Sequence, residues 1–258
     1  MTKLKEHKPS KMEALKAMTP ADRRRAIFDG IMNNAMFIII ALVIIYVAIK
    51  NPRFLSVPSL VNIISLTAAK LPIALGVGGC IILAGTDISA GRQVGLAACI
   101  SAGLQLTTNK LFPGLQVMPI PVVLLCVLVA CALVGLVNGF FMAKFKLHPF
   151  IVTLSTQLIV YGLVLLFMQL GTNGGQTLSG MSEGYRNFII KPLFTLKTSS
   201  GPVTVPRYVL YSAIITTLVW VIWNKTAFGK NMYAVGSNEE AANVSGVNVS
   251  KTIILVFV

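Results

Sequence analysis

Three segments of this chain place polar side chains between long apolar runs, and any chemistry must start there. The first is Gly85-Thr86-Asp87-Ile88-Ser89-Ala90-Gly91-Arg92-Gln93-Val94-Gly95. Asp87 is the only acid between Asp29 and Glu183. Polar groups at such a place are expensive to bury and usually line a pathway or pair with one another. Thr86, Asp87, Ser89, Arg92 and Gln93 could therefore touch a passing polar solute. They could equally be local support, with Asp87 or Ser89 capping the next helix, worth about 1 kcal/mol, and Asp87 paired with Arg92. The two roles can coexist.

The second segment is Lys146-Leu147-His148-Pro149-Phe150-Ile151-Val152-Thr153-Leu154-Ser155-Thr156-Gln157. Pro149 suits the first turn of a helix. Thr153, Thr156, Gln157 and Tyr161 then share one helix face by their spacing. That face either lines the same pathway or supplies hydrogen bonds between helices, worth about 0.6 kcal/mol each in a membrane. The third segment runs from Asn224 to Val247 and is long and polar. Ser237 or Asn238 can cap a short helix whose first turn holds Glu239 and Glu240, where acids suit the helix dipole. Gly246 marks its end. Such a capped helix, parked outside a membrane, is a docking element; the alternative is a solvated loop.

Several chemistries lack their residues. There is no phosphate-cradling G-x-x-x-x-G-K-[ST] loop, since Gly229-Lys230 is followed by Asn231. There is no G-x-S-x-G elbow, no H-E-x-x-H and no potassium-filter sequence. Cys80, Cys99, Cys126 and Cys131 lie in apolar stretches without C-x-x-C spacing, far from His7 and His148. Buried thiols packed between helices are expected, rather than zinc or disulfides. The reading is of a non-enzyme with no catalytic residue, no metal site and no cofactor of its own.

The elements that must hold these segments follow from composition. Hydrophobic residues make up 55% of the 258 and charged residues 12%, with mean hydropathy +0.78. A soluble domain carries about 25% charged residues, so half of the charge needed to cover a water-facing surface is missing. An integral, all-α membrane protein is the class that remains. The net charge of +14 is dispersed between apolar runs, where basic residues orient helices and meet anionic lipid heads, rather than on one nucleic-acid-binding face.

A span needs about 20 apolar residues. Candidates are 31–49, 60–84, 90–106, 119–141, 150–170 and 208–223, a polytopic bundle of about six complete spans plus the start of another. Lys70 and Pro72 interrupt the second, which is either one tilted helix or a broken one lining a cavity. Residues 1–30 form a basic tail, with eight basic side chains against four acids in residues 1–29. Within it Thr19-Pro20-Ala21-Asp22 reads as the start of a short interfacial helix. With that tail inside, the positive-inside rule puts 1–30, 85–89, 142–148 and 224–252 on the cytoplasmic side. Those segments hold thirteen basic residues against seven outside. The apolar run at 253–258 is far short of a span, so the sequence is expected to be truncated or part of a longer chain.

At the three polar segments the chain resembles the permease subunits of bacterial ABC sugar importers, the ribose/galactose/xylose group. G-T-D-I-S-A-G-R-Q-V-G at 85–95 is similar to that family's G-x-D-L-S-V-G motif, and its A-G-R-Q variant is similar to the galactose/methyl-galactoside branch. N-G-F at 138–140, P-F-I-V-T-L at 149–154 and the long motif at 226–249 follow in the family's order. Ile88 stands for the usual Leu, Ser155 for a common Gly, and the basic tail is longer than the family's. The resemblance implies a dimer of two permease copies in the bacterial inner membrane, with the N-terminus cytoplasmic. It also implies a periplasmic sugar-binding protein outside and a separate ATPase, holding ATP and magnesium, inside. Residues 31–258 would be the permease domain and 224–252 its cytoplasmic coupling segment. Gly236, Asn238, Glu239, Glu240, Ala241, Ala242 and Gly246 would contact the ATPase. Thr86, Asp87, Ser89, Arg92, Gln93, Thr153, Thr156 and Gln157 would line the pathway of a monosaccharide, galactose or glucose first. Ribose, xylose or a nucleoside are the alternatives within that class. Outside it stand an ion-coupled secondary transporter using Asp87, Arg92 and Lys70, and a membrane scaffold that only docks a partner.

Overall fold

The computed structural model describes residues 19–108, 110–112, 114–170, 174–198 and 201–258. They fall into two units, divided between Leu60 and Val61. In the first, α1 (Pro20–Asn33) begins where the sequence places it: Thr19 caps it by accepting the Asp22 N–H, with Pro20 in the first turn. α2 (Ala35–Lys50) follows across a 68° bend. The boundary expected at Ile31 lies at Asn34 instead. There the Asn34 side chain donates to the Gly30 carbonyl at 2.8 Å, competing with the regular backbone ladder. A single 3-10 turn, Pro52–Leu55, leads to the next helix.

α3 (Val57–Ile82) is one continuous helix of 26 residues, with Pro72 inside it and Lys70 exposed. At 1.5 Å per residue it is about 39 Å long, enough to cross a bilayer tilted. Of the two forms open to 60–84, the unbroken helix is the one adopted. α4 (Ala90–Gln105), α5 (Ile120–Phe145) and α6 (Pro149–Met168) pack on one another. α7 (Glu183–Ile190) leads to an antiparallel hairpin, β1 (Pro192–Thr198) with β2 (Gly201–Pro206). The all-α expectation missed this hairpin. Its signal was present: Phe194-Thr195-Leu196-Lys197 and Val203-Thr204-Val205 alternate, and Gly201 stands between them.

α8 (Arg207–Lys225) turns through 69° into α9 (Ala227–Ser237), then α10 (Glu239–Val244) and α11 (Val249–Phe257). α11 lies along α5. Gly135 and Gly139 of α5 leave room for it: a Cβ on Gly139 would stand 2.7 Å from the Ile254 Cα, and one on Gly135 would meet the Phe257 carbonyl. This is the small-x-x-x-small spacing by which membrane helices approach closely. Among the described residues three helices (α3, α5, α6) are long and apolar enough to cross a membrane, or five spans if each bent pair counts as one. Counted that way, five of the six expected runs answer to these spans, and the sixth, 90–106, is α4, a helix of 16 residues. Leu128, Leu158 and Leu218 point outward on their helices. Helices that expose apolar faces all round are those covered by lipid or by further helices.

Candidate functional site

At one end of the 61–258 unit the three polar segments come together. A cleft of about 720 Å³ is lined there by Leu83 and Gly85, by Lys146 and His148, and by Glu239 and Asn248. Segments 85–89, 142–148 and 224–252, expected on one side of the membrane, thus share one end of the fold.

The first segment forms an elbow between α3 and α4. The Gly85 N–H bonds the Cys80 carbonyl at 3.1 Å and the Ala84 N–H bonds the Ile81 carbonyl at 2.9 Å, the paired closure of a Schellman motif. Ala84 takes the left-handed position, φ 55°. Asp87 then holds the start of α4: one carboxylate oxygen, Oδ1, accepts the Ser89 N–H at 2.8 Å and the Ser89 hydroxyl at 2.6 Å. The other accepts from Gln93 Nε2 at 3.5 Å, at the limit of bonding. Ser89, fully buried, accepts in turn from Gln93 Nε2 and from Asn138 Nδ2, both at 3.0 Å. The Asn138 Oδ1, buried within α5, has no partner among the described residues.

The local-support reading therefore needs one correction. Asp87 does brace the helix start, but Arg92 does not pair with it: the Arg92 guanidinium lies 4.3 Å from the centre of the Tyr161 ring. An aromatic face on α6 offers an exposed guanidinium a cation–π partner that keeps its water. Ser89 occupies the N-cap but makes no capping bond of its own, since its oxygen already accepts from Gln93 Nε2 and Asn138 Nδ2.

On α6, His148 caps through Nδ1, accepting the Phe150 N–H, with Pro149 at the first helical position. Thr153 is wholly buried and bonds the Pro149 carbonyl at 2.9 Å and the Thr86 carbonyl at 3.4 Å. Thr156, also buried, bonds the Val152 carbonyl of its own helix. Gln157 is half-buried and Tyr161 exposed. The site thus joins Thr86, Asp87, Ser89, Gln93 and Thr153 in one network, sets Arg92 on Tyr161, and leaves Thr156 and Gln157 further along α6. Of the four cysteines Cys80 is buried and Cys126 is exposed on the outward face of α5, against the expectation that all pack between helices.

In the third segment Asn238 is the cap: its Oδ1 accepts the Ala241 N–H at 2.9 Å, and Glu239 and Glu240 occupy the first turn. Gly246, φ 83°, ends α10 in a left-handed turn. Glu239, Glu240 and Ala241 are exposed and Val244 is 90% exposed, while Ala242 faces inward. Gly236 also faces inward, because a Cβ there would strike the Ile82 carbonyl and stand 3.3 Å from the Leu83 Cα.

The sequence reading missed two groups. Asn138 drew notice only as part of N-G-F, although an asparagine in the middle of a 26-residue apolar helix needs a buried partner. Gln105 at the other end of α4 was passed over. It is buried, donates to the Met118 carbonyl at 2.6 Å and accepts the Ser182 hydroxyl at 2.5 Å. Ser182 is 77 residues away, so only the apolar setting of Gln105 could have flagged it.

Comparison with known proteins places this geometry. Residues 59–258 match the family described as branched-chain amino acid transport system / permease component. The galactose/methyl galactoside import permease protein MglC of Haemophilus influenzae is 40% identical over 233 residues, covering 89% of this chain and 67% of that protein. The MglC protein of Escherichia coli K12 is 37% identical over 237 residues, 91% of this chain and 68% of that protein. The ribose import permease protein RbsC of Haemophilus influenzae is 30% identical over 227 residues, 88% of this chain and 64% of that protein. The chain thus spans about two thirds of the length of these relatives. No solved structure matches it. With its apolar helices, its ordered motifs and a match over residues 59–258, the chain belongs to this family of membrane transport permease components.

Proposed function

We propose that this chain is the membrane subunit of an ATP-driven importer of galactose or a galactoside, fed by a periplasmic sugar-binding protein and powered by a separate ATPase. The observation that carries the reading is the 40% identity to a galactose/methyl galactoside import permease, against 30% to a ribose import permease. In this reading the chain sits in the bacterial inner membrane with its N-terminal tail in the cytoplasm, pairs with a second copy, and leaves ATP and magnesium to the ATPase. α10 is the docking element. Its cap and turn hold it rigidly, and Glu239, Glu240, Ala241 and Val244 are exposed to a partner. Gly236 and Ala242 serve it from behind by seating α9 and α10 on the bundle. Thr86, Arg92, Gln93 and Gln157 offer polar groups at the pathway end of the helices, with Asp87, Ser89, Thr153 and Thr156 behind them. The ion-coupled alternative loses support, because Asp87 is engaged by Ser89, Arg92 by Tyr161, and Lys70 is exposed on α3.

The test is a mild-detergent pull-down of the tagged native protein, followed by uptake of radiolabelled galactose into vesicles reconstituted with what is recovered. Recovery of an ATPase and a sugar-binding protein, with ATP-dependent uptake that unlabelled galactose suppresses, is the expected result. Suppression by ribose alone reassigns the sugar. Uptake driven by a sodium or proton gradient without ATP overturns the reading.

A further inference from the structure

The docking helix and the buried polar network are joined by an unbroken run of contacts. We propose that Asp87 is a positioning residue for transport: acting through Ser89, it keeps the α3–α4 elbow locked to α5 and α6, so that movement of α9–α10 passes through the elbow into the bundle. This rests on the importer reading above.

The run starts at Gly236, the penultimate residue of α9, which seats on the backbone of Ile82 and Leu83. With backbone against backbone there is no flexible side chain to absorb a displacement, so a shift of α9 moves the end of α3. The elbow that follows is short and closed on α3 by its two reverse hydrogen bonds. It also leans on α6, since a Cβ on Gly85 would lie 3.0 Å from Pro149 Cγ and the Thr86 carbonyl receives Thr153. Asp87 then fixes Ser89, and Ser89 receives Asn138 of α5. Three helices thus converge on five residues, with one carboxylate anchoring the last link. The Asp87 Oδ1 takes both the N–H and the hydroxyl of Ser89, and burial of Ser89 and Asn138 strengthens these bonds.

One atom leaves this network room for a second arrangement. The Asn138 Oδ1 is buried without a donor, and an unsatisfied buried acceptor weighs against the state that contains it. Packed elements switch between discrete arrangements rather than deforming smoothly. The Ser89 hydroxyl, now committed to Asp87, is the neighbouring group whose donor can be redirected.

The experiment uses the complete complex of permease, ATPase and sugar-binding protein in vesicles, reading galactose delivered per ATP hydrolysed. Asp87→Ala is expected to lower that ratio about tenfold, the effect of about one hydrogen bond, with the ATPase still bound. Asp87→Asn keeps an Oδ1 acceptor for Ser89 and is expected to stay within about threefold of wild type. Ser89→Ala is expected to match Asp87→Ala, and the double variant to lose no more than either alone, because both break the same link. Asp87→Asn as poor as Asp87→Ala overturns the proposal, since charge rather than position would then be what matters. So do additive losses in the double variant. If Asp87→Ala does not assemble, Ser89→Ala and Asp87→Asn decide: a normal ratio in Ser89→Ala overturns it, a tenfold loss beside a near-normal Asp87→Asn supports it. A wild-type complex without an ATPase overturns the importer reading itself and is seen before any variant is made.

Discussion

Buried polar groups hold α4 at both ends, and the two ends are built differently. At the Gln105 end the side-chain oxygen and nitrogen both bond, to Ser182 and Met118, while the Thr107 N–H and hydroxyl both reach the Gly180 carbonyl, at 3.0 and 2.7 Å. At the Ser89 end the network includes a carboxylate and leaves the Asn138 Oδ1 over. The helix contacts differ in the same sense. A Cβ on Gly103, near Gln105, would meet the tip of Leu111 at 2.7 Å and the Phe167 ring at 3.1 Å, both side chains. A Cβ on Gly236, at the other end, would meet backbone. One end is a satisfied clamp with soft walls. The other has rigid walls and an unfinished network, the construction suited to passing on a movement.

The largest way to break this comparison is at the glycines. Gly236→Ala is expected to destabilise by about 3 kcal/mol, because overpacking against backbone cannot be relieved by a rotamer change. Gly103→Ala is expected to lose about 1 kcal/mol, since Leu111 and Phe167 can turn aside. Thermal unfolding of the two variants in the same detergent checks it. Equal losses would mean that the two ends are equally rigid.

The clamp itself is tested next. Gln105→Ala strands the Met118 carbonyl and the Ser182 hydroxyl, and is expected to cost about 2 kcal/mol of stability. Galactose delivered per ATP by the surviving complex should be unchanged. A stable variant with a tenfold lower ratio would erase the distinction drawn between the ends.

How far the sequence could carry this argument depends on the reach of each interaction. Thr19 and the first-turn place of Pro149 were legible, and the cap of α10 was narrowed to Ser237 or Asn238, because a helix start is decided within three residues. The family motifs were legible for the same reason, as were the ends of α5 and α6 within a few residues. What failed was long-range or geometric. Asp87 and Arg92 look like an ion pair in a list of charges, yet the fold offers Arg92 an aromatic ring on α6. The bend at Asn34 cuts an apolar run, 31–49, that hydropathy alone joins. The hairpin was hidden because alternation over a few residues is a weak signal beside the long apolar runs that flank it. Gly135 and Gly139 carried a readable spacing, but nothing local says that α11 is what lies on them.

The unfinished network gives a sharper test, with a smaller effect. Asn138→Leu removes the donor to Ser89 and the orphan acceptor together. The lost bond and the relieved burial roughly offset, so stability is expected to hold or rise by about 1 kcal/mol. Transport per ATP should nevertheless fall, because α5 loses its link to Ser89. Thermal unfolding and vesicle uptake on the same preparation separate the two effects. A destabilised but fully coupled variant would show that Asn138 is only a brace.

The smallest effect concerns Ala84, which closes the elbow in a left-handed conformation that costs an L-residue about 1–2 kcal/mol. Ala84→Gly removes that strain and adds chain entropy to the unfolded state, for a net gain of about 0.5–1 kcal/mol. If the elbow only connects two helices, the gain is all that follows, a rise of a few degrees in unfolding temperature. If it transmits movement, a freer turn should also slip, so the more stable protein delivers somewhat less galactose per ATP. A stability gain accompanied by a lower ratio is the expected result. Gain without loss would place the stiffness of this end in the Gly236 and Asp87 contacts alone, and leave the turn as a passive cap.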